Sequence, residues 1–235
     1  MSMALITGAR GQVGSLILDR LARAGWDARG FDLRSGDDVR DQDAVLDAAE
    51  GCEVIVHAGA IAHDSAGTPA DIVATNVLGT WHVLLAAERW RLSRVIYFSS
   101  AQVFGFAEGE GTPDYLPVDD AHPLRASRPY GMSKRLAEEM CDAWTSRTAI
   151  PSLVLRPVMI LDDDGLELVA ESQAELGAFV HVDDVVDATF RAVNERVSGH
   201  HRMTLCGPGA FDTSLARHVL GWSPSRSWPT ATSPA

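Results

Sequence analysis

Tyr130 and Lys134 stand four residues apart in the run Tyr130-Gly131-Met132-Ser133-Lys134, a spacing that stacks both side chains on one face of a helix. A free phenol titrates near pH ~10, too high to exchange protons readily at neutral pH, and a cation beside it favours the phenolate. A phenol tuned in this way can take the proton from a substrate hydroxyl while hydride leaves the same carbon, or return it in the reverse direction. Ser100, just past the apolar run 95–98, can donate a hydrogen bond to the reacting oxygen and fix its position. An isolated Tyr-x-x-x-Lys is commonplace, so its weight comes from what the rest of the chain supplies.

A hydride needs an acceptor, and the N-terminal segment reads as a site for one. Gly8, Gly11 and Gly14 lie in Thr7-Gly8-Ala9-Arg10-Gly11-Gln12-Val13-Gly14, between an apolar strand-like run and a stretch of helical period. Such a loop gives a tight turn, a close backbone approach to a pyrophosphate and close packing of helix on strand. The helix start adds free amides and a partial positive charge. Asp32 follows at the end of the next strand, eighteen residues beyond Gly14, near the position of an acid that binds the adenosine ribose hydroxyls. A carboxylate there favours NAD over NADP, although Arg34, two residues on, is a partner for the extra phosphate of NADP.

Short runs rich in branched residues alternate with helical stretches, the pattern of a doubly wound α/β fold of Rossmann type with a parallel sheet. Strands are expected over 3–7, 27–32, 54–56, 95–98 and 153–155. Helices are expected over 12–24, from a cap at Asp41 to 49, over 76–90 and over 129–145. From residue 158 onward the rhythm breaks into a loop, a short strand at 179–180, a helix capped by Asp183, a strand near 203–205 and a last helix near Leu215. The expected organisation is a dinucleotide-binding domain (1–157), a small substrate-binding annex interleaved with the sheet (158–222) and a frayed tail (223–235) rich in Ser, Thr and Pro. Residues 109–117, rich in Gly and Pro, read as a substrate-facing loop or lid.

Composition narrows the function further. Of 235 residues 46% are hydrophobic and 22% charged, the balance of a globular domain. A formal net charge of −12 has the wrong sign for nucleic-acid phosphates or an anionic membrane surface. The run 54–62 is far short of the ~20 apolar residues of a spanning helix. Cys52, Cys141 and Cys206 form no C-x-x-C pair and read as thiols of a reducing compartment, and the start of the chain has no secretory pattern, so the cytoplasm is the expected location. The histidines show no ligand spacing, so no metal is expected.

Taken together, these motifs resemble the short-chain dehydrogenase/reductase family, and more closely its extended branch of NAD-dependent sugar epimerases, dehydratases and uronate dehydrogenases. The resemblance runs from Ala4 to about Leu155 and resumes around Val180. Its glycine motif falls on Gly8, Gly11 and Gly14, which implies cofactor contacts from the loop's Gly8, Arg10, Gly11, Gln12 and Val13. Asp38-Val39 resembles the adenine-contacting pair, and His57-Ala58-Gly59-Ala60 the segment passing beside the cofactor. Asn76-Val77-Leu78-Gly79-Thr80 is similar to the Asn-x-x-Gly-Thr helix start. Ser99-Ser100-Ala101-Gln102-Val103-Phe104-Gly105 is similar to the serine motif and maps the catalytic serine onto Ser100. Tyr130 and Lys134 fall on the catalytic tyrosine and lysine, the lysine also being implied to hold the nicotinamide ribose. The late segment His181-Val182-Asp183-Asp184-Val185 matches as well.

Departures from the pattern bear on the substrate. The resemblance implies substrate contacts from Ala101, Gln102 and Met159, and a cofactor contact from Pro157. Ala101 and Gln102 stand where dehydratases carry an acidic pair, which disfavours dehydration. Phe104 replaces the usual tyrosine, a packing change. Met159 stands where an asparagine often contacts a sugar-nucleotide, and only twenty residues, 160–179, are left for a nucleotide grip. Arg125, Arg128 and Arg156 are candidate cations for a substrate carboxylate or phosphate. The expectation is an NAD-dependent oxidoreductase or epimerase acting on a secondary hydroxyl of a sugar, sugar acid or sugar-nucleotide. The alternatives are a uronate-type dehydrogenase releasing NADH and a non-catalytic NAD(P)-binding sensor. The resemblance also implies a homodimer formed through the helices at 76–90 and 129–145.

Overall fold

The computed structural model describes residues 2–106, 111–168 and 178–226. In chain order the elements are β1 (Met3–Thr7), α1 (Gln12–Arg23), β2 (Asp27–Phe31), α2 (Gln42–Ala49) and β3 (Val54–His57). There follow α3 (Pro69–Val73), a π turn (Ala74–Leu78), α4 (Gly79–Arg89), β4 (Arg94–Phe98), α5 (Pro129–Thr148) and β5 (Ser152–Pro157). The chain continues through β6 (Met159–Leu161), α6 (Asp163–Leu168), β7 (Phe179–His181), α7 (Val182–Asn194), β8 (His200–Leu205) and α8 (Ser214–Leu220).

Among the described residues, six strands form one sheet in the order β2-β1-β3-β4-β5-β8, and every pair in it is parallel. The sheet is of the doubly wound Rossmann type. The chain runs from β1 outward to β2 and then back across β1 to β3, so the direction of travel reverses between β1 and β3. A crevice opens outside the carboxyl ends of the strands at such a reversal. β6 and β7 form a second, two-stranded parallel sheet.

Alternation along the strands builds two apolar layers, because successive side chains leave a strand on opposite faces. Ala4, Ile6, Val54, Val56, Ile96, Phe98, Leu153 and Leu155 pack on the side of α1 and α7. Leu5, Ile55, Val95, Tyr97 and Val154 pack on the side of α2, α4 and α5. The first layer also takes in Val180, Val185, Met203 and Leu205, so residues of 1–157 and of 158–222 share one core.

Several sequence expectations are corrected. The helix expected from Asn76 begins at Pro69, where Thr68 and Asp71 form a reciprocal capping box and proline takes the first turn. Asn76 lies inside the π turn. The rod Pro69–Arg89 is 21 residues long and apolar enough to cross a membrane, which the run 54–62 did not reveal, but half of it is buried within the fold. The cap of α7 is His181, whose Nδ1 accepts the Asp183 backbone N–H, and not Asp183. Two elements, β6 and α6, occupy residues expected to be loop. At the tail, Asp184 holds the chain: its carboxylate accepts the backbone N–H groups of Ser225 and Arg226 and the Ser225 hydroxyl. Residues 227–235 of that segment lie outside the described residues, as do 109 and 110 of the expected lid.

Candidate active site

A cleft of about 1150 Å³ lies along the carboxyl ends of the strands. Its floor is the turn from β1 into α1. Gly8 has φ +69°, and a Cβ there would sit 2.7 Å from the Gly59 nitrogen; one on Gly14 would sit 2.1 Å from the Gly8 oxygen. Neither position accepts a side chain. Gly11 caps α1 without a side-chain hydrogen bond, and no acid stands in its first turn. The first amides of α1 therefore lack a side-chain acceptor, and Gln12 and Val13 carry them into the cleft.

Asp32 closes one end of this floor. One carboxylate oxygen accepts the Arg10 backbone N–H and the other the Arg34 backbone N–H, each at 2.9 Å. The Arg34 guanidinium donates to the Arg10 carbonyl. Asp38 pairs with Arg40 at 2.6 Å, and the Arg40 hydrogen bond holds its carboxyl below the ordinary range. Asp38 and Val39 both line the cleft beside Asp32. This glycine turn, bare helix start, acid and elongated cleft fit a dinucleotide.

Ser100, Tyr130 and Lys134 line the same cleft. Pro129 places Tyr130 in the first turn of α5, and Lys134 follows one turn later. The Lys134 Nζ lies 5.8 Å from the Tyr130 ring centroid and 5.0 Å from that of Tyr97, and donates to the Phe98 carbonyl at 2.7 Å. Burial pulls this ammonium down to about 7, against the Glu138 carboxylate, which favours the charged form. Ser100, two residues past β4, caps the short 3-10 turn Ala101–Phe104, its Oγ accepting the Gln102 backbone N–H. Ala58, Gly59, Ala101, Gln102, Pro157 and Met159 also line the cleft.

Three of the residues expected to contact the cofactor do not line it. Arg10 contributes its backbone to the Asp32 turn, as above. His57 is buried behind the cleft, with Nδ1 2.6 Å from the Thr7 hydroxyl and Nε2 3.1 Å from that of Thr80. Thr80 donates to the Asn76 carbonyl, and Thr7 accepts the Gly59 N–H, so His57 donates from Nε2 and accepts at Nδ1. Asn76 is a buried clamp: its Oδ1 accepts from the Ile61 nitrogen, and its Nδ2 donates to the Ile61 carbonyl and the Ser133 hydroxyl. Ser133 in turn donates to the Tyr130 carbonyl.

Two acids with no role in the sequence reading hold this lining. The Asp64 carboxylate accepts the Tyr130 backbone N–H at 2.7 Å, tying the segment after β3 to the start of α5. Glu138, one turn beyond Lys134, accepts the Ser99 hydroxyl at 2.5 Å and pairs bidentately with Arg156, both side chains fully buried. Only Glu138 had a sequence cue, the continued four-residue spacing along α5. Arg156 is therefore a structural cation and not a substrate ligand. Arg125 is likewise engaged by Asp114, and Arg128 precedes α5 outside the cleft lining. Phe104 is buried in an aromatic cluster with Phe106, His122 and Phe211.

Burial pulls the His57 imidazole down to about 3, with the Lys134 charge adding to the effect, and burial pulls His200 down to about 4. Both protonate more easily in the unfolded chain, where histidine titrates near ~6.5. Their contribution to stability is thus full above pH ~6.5 and is lost as the pH falls toward the folded values. Near pH ~5, unfolding takes up about two protons through them, a slope of about 2.7 kcal/mol per pH unit. His57→Gln is expected to lower that slope by about 1.4 kcal/mol per pH unit in denaturant unfolding. An unchanged slope would mean that His57 is already charged in the native protein.

Comparison with known proteins agrees with this geometry. Residues 4–161 match the NAD dependent epimerase/dehydratase family. The chain is 32% identical to a putative UDP-glucose 4-epimerase of Methanocaldococcus jannaschii, over 66% of this chain and 54% of that protein. It is 30% identical to a uronate dehydrogenase of Pseudomonas syringae, over 65% and 57%. It spans little more than half the length of these curated relatives. A short-chain dehydrogenase/reductase superfamily protein from Agrobacterium tumefaciens, solved with bound NAD, superposes with a TM-score of 0.83, at 22% identity over 97% of this chain and 94% of that one. The chain belongs to the NAD dependent epimerase/dehydratase family, and its cofactor is accordingly NAD.

Proposed function

We propose that the chain oxidises a secondary hydroxyl of a sugar or sugar-like molecule, with Tyr130, Lys134 and Ser100 as its catalytic residues. The observation that supports this reading is that all three residues line the same cleft as the glycine turn and Asp32. Bound NAD supplies the hydride acceptor. The Tyr130 phenolate takes the substrate's hydroxyl proton and becomes the phenol as hydride leaves the same carbon, the neighbouring Lys134 ammonium favours that phenolate, and the Ser100 hydroxyl holds the substrate oxygen. Asp64 and Asn76, through the backbone of Tyr130 and through Ser133, fix where the phenol stands.

The glycine turn, the α1 start, Asp32 and Asp38 would hold the dinucleotide, with Lys134 at its nicotinamide ribose. Residues 158–222 supply much of the substrate side, through Val158–Ile160, Ala178 and Phe211. We further propose a cytoplasmic homodimer. The exposed Leu78, Trp81 and Leu136 on the π turn, α4 and α5 are the apolar groups that such an interface would cover.

Product analysis distinguishes the two outcomes open to this site. Accumulating reduced nicotinamide marks a dehydrogenase; an isomer of the substrate formed without net reduction marks an epimerase. Neither product across a panel of free sugars, uronates and sugar-nucleotides would contradict the sugar reading. Asp32→Ala is expected to raise the Kd for NAD about tenfold, the loss of one charge-assisted hydrogen-bonding group, with less than about twofold change for NADP. Equal weakening of both cofactors in calorimetric titration would show that Asp32 does not choose between them.

A further inference from the structure

The two ends of the cleft differ chemically. Its charged side chains other than Lys134 are Asp32, Arg34, Asp37, Asp38, Arg40 and Asp71, all from the segments after β2 and from α3. Beyond Tyr130 and Lys134 the wall is Phe106, Pro113, Leu116, Met159, Ile160 and Phe211. The Phe106 and Phe211 rings lie with centroids 6.3 Å apart, and Phe104 stacks behind Phe106 at 5.8 Å. Met159 and Leu116 are 61% and 60% exposed. Large apolar side chains left open to water around one pocket mouth mark a surface that a ligand covers.

Among the described residues, no arginine and no lysine other than Lys134 lines this end. Among the described residues, Arg34, Arg40 and Lys134 are the Lys and Arg side chains that line the cleft. Arg156 is sealed in its pair with Glu138, and Arg125 is engaged by Asp114. The residues outside the described set include no Lys or Arg at all. A carboxylate or diphosphate placed here would lose its hydration without gaining a charged partner, which disfavours its binding. The polar side chains present, His63, Ser99, Ser100, Gln102 and Tyr130, suit one or two hydroxyls.

We infer that the substrate is an uncharged secondary alcohol, or the corresponding ketone, whose reacting carbon adjoins an apolar body about one ring in size. This rests on the reading of Tyr130 as the proton-transfer group and narrows it: uronates and sugar-nucleotides are excluded, and a neutral sugar would enter with a C–H face against the aromatic wall.

The test is saturation-transfer NMR on the NAD-loaded chain. The probes are cyclohexanol and 1-phenylethanol (neutral, apolar), galactose (neutral, polar), and glucuronate and UDP-glucose (anionic). Ring protons of the apolar alcohols should receive saturation, and glucuronate and UDP-glucose should bind at least tenfold more weakly. Met159→Arg, a change at an exposed side chain that leaves the core intact, should weaken the apolar alcohols and strengthen glucuronate several-fold. Tighter binding of glucuronate or UDP-glucose by the unaltered chain, no binding of either apolar alcohol, or no gain for glucuronate in the variant would overturn the inference. Reduction of NAD by glucuronate would remove the substrate class and leave the proton-transfer reading standing. Failure of the chain to load with NAD would remove both.

Discussion

Tyr130→Phe is expected to lower turnover by about 10²–10⁴-fold, the range typical of losing a general acid–base group, while the Kd for NAD changes by less than about twofold. The ring is 7% exposed and sits in the first turn of α5, so phenylalanine keeps its packing. The backbone N–H that Asp64 holds and the carbonyl that Ser133 holds are both unchanged by the substitution. What is removed is the hydroxyl proposed to carry the substrate's proton beside Lys134. Steady-state rates with calorimetric NAD titration separate the two effects. A variant that retains a tenth or more of the rate would assign proton transfer to another group.

Glu138→Ala is expected to destabilise the native chain by about 3–5 kcal/mol, the cost of leaving one partner of a buried ion pair uncompensated. For a chain of this size that lowers the thermal midpoint by roughly 10 °C. Arg156 would lose both of its Glu138 hydrogen bonds while fully buried, retaining the Asp120 carbonyl as acceptor for Nη1. Ser99, next to Ser100, would lose its acceptor. Glu139→Gln is the control, since Glu139 is exposed and meets Arg202 at 3.1 Å on the surface, a contact worth at most about 1 kcal/mol. Equal unfolding midpoints for the two variants would show that the buried pair does not hold the wall.

The parts of the site legible in the sequence are those encoded over short spans. The glycine turn announces itself because three glycines fall within seven residues, two of them at positions that exclude a side chain, and Tyr130 and Lys134 because four residues make about one helical turn. The crossover pattern needed only alternating strand and helix periods. The capping box at Thr68 and Asp71 was equally local, yet the Asn-x-x-Gly-Thr resemblance drew the helix start to Asn76, inside the rod. Contacts between distant segments left no such trace. Nothing near Asp64 in sequence indicates that it meets a backbone N–H 66 residues later. Arg156 looked like an available cation because its partner lies on another element, and His57 looked like a cofactor contact because its neighbours Ala58 and Gly59 line the cleft while its own ring turns inward between Thr7 and Thr80. The strands were visible as short apolar runs, but which loop residues gather as the apolar end of the cleft depends on β6, β7 and the Val118–Phe211 bridge.

A crystal structure of the chain with NAD tests the central claim most directly. The account predicts the pyrophosphate on the Gly8–Gly14 turn, the adenosine ribose at Asp32 and the nicotinamide ring beside the hydroxyls of Ser100 and Tyr130. A dinucleotide bound outside this cleft, or one whose nicotinamide points away from Tyr130, would contradict it.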